Sequence, residues 1–261
     1  MVSAPATFRT ETLGIDLASQ AKKTAACVVA WSPSSARIVE PDEGLTDETL
    51  IGLMSRRPVN KVGVDAPFGW PQPFVVATAG YAETGRWPTT DRRELTLRTT
   101  DRYIHTLTGR PPLSVSTDLI AHTAFRCAEL LTKHGAGKPV DRTGAGLVAE
   151  VYPAAALSQW GLTSRGYKGP GNAAVRTSLL LEFQRECSPW LEVSPVQVAQ
   201  LTSSDHLFDA LVAAFVARAV EVGASSPIPQ EHRDAAEFEG WIHLPTSPLS
   251  ELSSSGSVGL R

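Results

Sequence analysis

Two short, β-rich apolar runs in this chain are each cut off by a proline, and each carries one carboxylate near its end. They are Lys61–Ala66 (KVGVDA), halted by Pro67, and Gly146–Tyr152 (GLVAEVY), halted by Pro153. A third run, Glu11–Ala18 (ETLGIDLA), carries Asp16 in the same way. Proline cannot continue a central strand, and a carboxylate inside one is costly to bury unless it is paired, hydrogen-bonded or bound to a cation. The chain must therefore fold so that Asp16, Asp65 and Glu150 find such partners. In an open α/β sheet the strand ends converge on one edge, which is where ligands bind.

The intervening segments predict what kind of sheet this is. Thr24–Trp31 (TAACVVAW) and Ala36–Glu40 (ARIVE) follow the first run after brief polar connections, which predicts an antiparallel meander. Leu45, Leu50, Leu53 and Met54 recur at helical spacing over Thr46–Arg56, behind a cap at Thr46 or Asp47. That helix supplies the crossover that a parallel strand at Lys61–Ala66 requires. Pro71, Pro73, Gly80, Gly85 and Pro88 break the following stretch into short helices and loops, before a better helix at Thr117–His134. Helical stretches over about 172–186 and Ser204–Val222 close the pattern, the second with a broad apolar face.

The order β-β-β-α-β-α-β-α predicts an α/β fold. Its sheet has five strands, three antiparallel then two parallel, with helices on both faces and a helical insertion over about residues 71–140. No polar linker sets the insertion apart, so residues 1–245 read as a single domain. Residues 246–261 read as a Ser-rich flexible tail, and Met1–Arg9 as a loose start.

Composition narrows the function classes. A net charge of −3 and a pI near 6.1 lack the basic surplus of a dedicated duplex-binding protein, so any nucleic-acid contact must come from a local patch. Cys27, Cys127 and Cys187 are widely spaced and form no CxxC or Cys/His cluster, which argues against zinc and against a disulfide framework. No basic region precedes an apolar N-terminal stretch, and no apolar run approaches the roughly 18 residues needed to span a bilayer. The expected location is cytoplasmic, without a membrane partner.

The helix at Ser204–Val222 adds Asp205 and Asp209, spaced i, i+4 on one face. Asp205 is also a candidate N-cap, with Ser203 and Ser204 as rivals; Asp209 lies inside the helix, where capping is not open to it. Oxygen ligands without Cys or paired His favour Mg²⁺ or Mn²⁺ over Zn²⁺. Four carboxylates suffice for a two-metal phosphoryl-transfer site, in which two ions about 4 Å apart stabilise the attacking and leaving oxygens. The rival reading pairs these acids with the arginines nearby.

At these residues the sequence resembles the bacterial and archaeal family labelled domain of unknown function 429, predicted nucleases of the ribonuclease H-like superfamily. The matching segments are LGIDLA (Leu13–Ala18), VGVDAPFGWP (Val62–Pro71), LRTTDR (Leu97–Arg102) and AEVYPAA (Ala149–Ala155). They continue with YKGP (Tyr167–Pro170), DHLFDALVAAFVAR (Asp205–Arg218) and EGWIHLP (Glu239–Pro245), in order over nearly the whole chain. The resemblance implies a metal-dependent nuclease. It implies Asp16, Asp65 and Asp209 as metal ligands, with Asp205 or Glu150 supplementing them. It also raises Arg98 and Asp101 above the other charges of the region, as members of a shared motif, and resolvase-like relatives suggest a homodimer.

Arg86–Arg110 carries six arginines against three acids, with Trp87, Tyr103 and His105 interleaved. Such a stretch can bind phosphates and stack a base, or form a solvated face of internal ion pairs. Arg98, Arg102 and Lys168 are the candidate phosphate contacts, with Asp101 and Tyr167 as supporting motif residues. Arg98 and Asp101, spaced i, i+3, can also simply pair with each other. His206 is a candidate proton carrier beside Asp205. No G-x-S-x-G elbow, Walker A or dinucleotide fingerprint occurs. The expectation is therefore a Mg²⁺- or Mn²⁺-dependent phosphodiester hydrolase acting on nucleic acid, with Asp16, Asp65, Glu150 and Asp209 as catalytic acids. The alternatives are a nucleotide-binding protein of the actin-like ATPase type and a non-enzymatic binding protein with a vestigial acidic cleft.

Overall fold

The apolar runs become the central strands of one mixed sheet in the computed structural model, which describes residues 8–253. In chain order the strands are β1 (Thr10–Asp16), β2 (Ala25–Trp31), β3 (Ala36–Glu43), β4 (Val59–Asp65), β5 (Val148–Val151), β6 (Leu191–Glu192) and β7 (Ile242–His243). The helices are α1 (Asp47–Met54), α2 (Gln72–Thr84), α3 (Arg92–Thr96), α4 (Thr99–Thr108) and α5 (Ile120–His134). They continue with α6 (Pro153–Gln159), α7 (Ala173–Glu186), α8 (Pro195–Ser203), α9 (Asp205–Glu221) and α10 (Arg233–Glu239).

The strand order is β6-β3-β2-β1-β4-β5-β7. β1 and β2, and β2 and β3, pair antiparallel, as the short polar connections predict; β1–β4 and β4–β5 pair parallel, across helical crossovers. The sheet has seven strands, not the five expected. The two additions, β6 and β7, are two residues each and cap the outer edges by parallel pairing with β3 and β5. Pairs that short have no hydrophobic periodicity to read.

Strand alternation sorts the apolar side chains into two cores. Ala25, Cys27, Val29 and Trp31 of β2 face α7 and α9, where Leu179, Phe183, Phe208, Leu211 and Phe215 pack against them. Ala26 and Val28, with Leu13 and Ile15 of β1 and Val62 and Val64 of β4, face α1 and α5, meeting Leu50, Met54, Cys127 and Leu130. All three cysteines are free and buried. α9 is sheathed on every side, with each residue from Leu207 to Ala219 buried, so it runs through the molecule and not over it. One polar chain crosses this core: Trp31 Nε1 donates to Thr12 Oγ1, which donates to Ala214 O, both at 2.9 Å.

The expected flexible tail is corrected over its first part. Leu249 and Leu252 are buried in the α9-side core, and Trp160 and Trp190 donate through Nε1 to Ser247 O and Ser250 O. Two leucines three residues apart are enough to dock this Ser-rich stretch. The rest of the tail (254–261) and most of the loose start (1–7) lie outside the described residues. No helix among the described residues is long and apolar enough to cross a membrane.

Candidate metal centre

β1 and β4 lie side by side with Gly14 opposite Gly63 and Asp16 opposite Asp65. Residues two apart on a strand share a face, so each strand presents a glycine and then an aspartate to the same side. α9 packs on that side at backbone contact. A Cβ on Gly14 would lie 2.0 Å from Ala210 O and 2.2 Å from Ala214 N, and one on Gly63 2.5 Å from Ala213 O. Only glycine permits this approach. It carries Asp209, one residue before Ala210, to the two strand aspartates. One carboxylate oxygen from each of Asp16, Asp65 and Asp209 lies within 4.8 Å of the others.

The three acids differ in their partners. Asp209 is buried; its Oδ1 accepts from the Tyr167 hydroxyl at 2.7 Å, and its Oδ2 lies 2.6 Å from Lys168 Nζ. Asp16 Oδ2 lies 2.6 Å from His206 Nδ1. Asp65 accepts no hydrogen bond from any described residue. Burial raises its pKa well above the carboxylate range and Asp16 and Asp209 add to the rise, while Lys168 opposes it. Burial likewise pushes Asp209 up to about 6, against Lys168 and with Asp16. The hydrogen bond to Asp16 raises His206 above the ordinary imidazole value. Burial lowers Lys168, but Asp209 and Asp65 outweigh it and keep the ammonium charged. Three crowded carboxylates, one without a hydrogen bond, form a hard-oxygen donor set of the kind that could hold a divalent cation.

Four of the residues assigned to this site from sequence sit elsewhere, each for a visible reason. Glu150, expected as the fourth catalytic acid, faces away from the triad. Its Oε1 accepts from Arg98 Nη2 at 2.6 Å, and its Oε2 from Arg98 Nη1 at 2.8 Å and Phe68 N at 3.0 Å. Asp205, expected as a metal ligand, accepts from Gly169 N at 3.1 Å, while Ser204 caps α9 by accepting from Leu207 N. Arg98, expected on a substrate phosphate, is only 2% exposed and has no N–H left to offer. Its Nε and Nη2 donate to Asp101, both Nη groups to Glu150, and Nη1 also to Glu239 O. Burial works against the guanidinium charge, but Asp101 and Glu150 more than offset it. Arg102, the other candidate, donates to Leu97 O at 2.6 Å and Thr99 Oγ1 at 3.2 Å. Lys168 is the one phosphate candidate at the triad, and its side chain is half exposed.

Sequence reasoning missed Glu239 and Arg176. Glu239 ends α10, and its two carboxylate oxygens accept from Gln72 N and Thr99 N, the first residues of α2 and α4. An anion there satisfies orphan donors and complements both helix dipoles. Gly240 follows with φ +87°, and a Cβ on it would lie 2.8 Å from Glu150 Oε2. The EGW motif was the available signal for both. Arg176 is fully buried and donates to Tyr167 O, Gly169 O, Thr202 O and Ser203 O, fixing the loop that carries Tyr167 and Lys168 to the start of α9. An arginine bound only to carbonyls leaves no charge pattern in sequence.

Comparison with known proteins gives one match: the family model described as "Protein of unknown function (DUF429)" covers residues 14–234. No curated protein and no solved structure matches the chain.

Proposed function

We propose, on the premise that this chain belongs to the DUF429 family of proteins of unknown function, that it is a Mg²⁺- or Mn²⁺-dependent hydrolase of phosphodiester bonds in nucleic acid. The observation that carries this reading is the triad of Asp16, Asp65 and Asp209, brought within 4.8 Å on three elements with Asp65 lacking any hydrogen bond from the described residues. A structural ion-pair cluster would spend all of its acids, as the Arg98 network does. The strand order β3-β2-β1-β4-β5, antiparallel then parallel, supports assignment to the ribonuclease H-like superfamily that the sequence motifs suggest.

In this reading the three aspartates hold the ion, and Tyr167 fixes the orientation of Asp209 by donating to Oδ1. A Mg²⁺ or Mn²⁺ held there would supply positive charge to a phosphate oxygen and lower the pKa of a bound water. Lys168, anchored at Asp209 yet half exposed, orients a phosphate oxygen as a point charge. His206, whose Nδ1 lies 2.6 Å from Asp16 Oδ2, would donate the proton on its Nε2 to the leaving oxygen, while the attacking water's proton passes to solvent.

The test is metal-dependent cleavage of labelled single-stranded, duplex and branched DNA and RNA, comparing the protein with Asp16→Asn and Asp65→Asn. Cleavage is expected in Mn²⁺ and falls at least about 100-fold in either variant. Mn²⁺ at 100 times its Kd should also stabilise the protein by about 2.7 kcal/mol, a gain both variants lose. A folded protein that neither cleaves any substrate nor melts higher in Mn²⁺ overturns the reading.

A further inference from the structure

Beside the triad lies a cavity of about 230 Å³ that shares Asp65 and Lys168 with it. Its remaining charged lining is Arg98 and Glu150, and both are spent. All five N–H groups of Arg98 are donated within the protein, and both Glu150 oxygens accept from Arg98 or Phe68. Neither can bind a ligand's charge. The other walls are mostly apolar, Pro67, Leu113, Ile120 and Ile242 among them, with Tyr152 adding a phenol. A charged phosphate therefore has partners only where the cavity meets the triad, and whatever enters further must be uncharged. The volume decides the size. It exceeds the roughly 150 Å³ that holds one benzene, and falls short of the roughly 300–1,000 Å³ of pockets for drug-sized ligands. That is room for one ring system.

We propose that this cavity receives a single unstacked nucleobase of the nucleotide whose phosphate lies at the triad. The substrates are then single strands, frayed ends or flipped-out nucleotides, and an intact duplex is excluded. This rests on the function proposed above for the substrate's phosphate, but the cavity can be tested without it. Extruding a base costs least where it is already unpaired, so the preference for single strands follows from the cavity itself.

The experiment is a fluorescence titration of the full chain with 2-aminopurine riboside, which has the ring but no phosphate, alongside Mn²⁺ thermal shifts. Leu113 is 60% exposed on a loop, so Leu113→Trp fills the cavity mouth from a position the fold tolerates, and Leu113→Ala removes part of the wall. The expected result is saturable riboside binding that weakens at least tenfold in Leu113→Trp, with the Mn²⁺ shift unchanged. Should Leu113→Trp not fold, Leu113→Ala decides, with binding at least threefold weaker. No riboside binding to the parent protein, or equal binding to the variants, overturns the proposal. Mn²⁺ stabilisation without riboside binding defeats the cavity alone. Riboside binding with neither Mn²⁺ stabilisation nor cleavage of any substrate supports the cavity and defeats the metal reading.

Discussion

Arg98 shows how completely a motif residue can be consumed by structure. With Asp101 on one side and Glu150 on the other, its guanidinium closes a buried network that also ties in Glu239. Removing one member of a buried ion pair leaves uncompensated charge in a poorly solvated place. Arg98→Met should therefore cost about 3–5 kcal/mol in urea denaturation, and adding Glu150→Gln should restore part of it. Additive losses in that double variant would refute the coupling. Half of this network was legible in sequence. Arg98 and Asp101 are three residues apart at the start of a helix, and that spacing exposes a pair. Glu150 is 52 residues further on, beyond two helices, and no local pattern links it to Arg98. A strand-end acid destined for an arginine looks the same in sequence as one destined for a metal, which is why Glu150 was grouped with Asp16 and Asp65.

The triad is a product of how α9 meets β1 and β4. Gly14 and Gly63 let the helix backbone rest against the sheet, and a methyl at either position collides with backbone atoms that cannot rotate away. Gly63→Ala should thus displace α9 and destabilise the protein by about 3 kcal/mol or more, with loss of Mn²⁺ binding in whatever remains folded. A variant with native stability would show that the contact is slack. The strands and α9 were readable because long apolar runs and a broad apolar helix face declare themselves. β6, β7 and the seven-residue α6 and α10 were not, being too short for a period to repeat. The paired glycines were visible as G-x-D in both strands, but only the register Gly14↔Gly63 gives that spacing its meaning.

At the level of the whole molecule, the sheet separates two cores, and one buried imidazole reports on its integrity. His243 on the edge strand β7 lies 2.8 Å through Nε2 from Thr143 O, and burial lowers its pKa below the ordinary value. A depressed base refuses its proton in the folded state while the unfolded chain accepts it near pH 6.5. The stability it contributes is full above that pH and is lost as pH falls through it. The stability gap between the protein and His243→Gln should therefore narrow between about pH 7.5 and 5.5. A gap independent of pH would count against this assignment. The arrangement of α9 also has a consequence in time. This helix fills the centre of the molecule, yet it lies far along the chain from β1 and β4, the strands it covers. During synthesis, the sheet surface over Gly14 and Gly63 would stay uncovered until Ala210, Ala213 and Ala214 are available to pack on it. Asp209 becomes a neighbour of Asp16 and Asp65 only through that same packing, so central packing and acidic site form together.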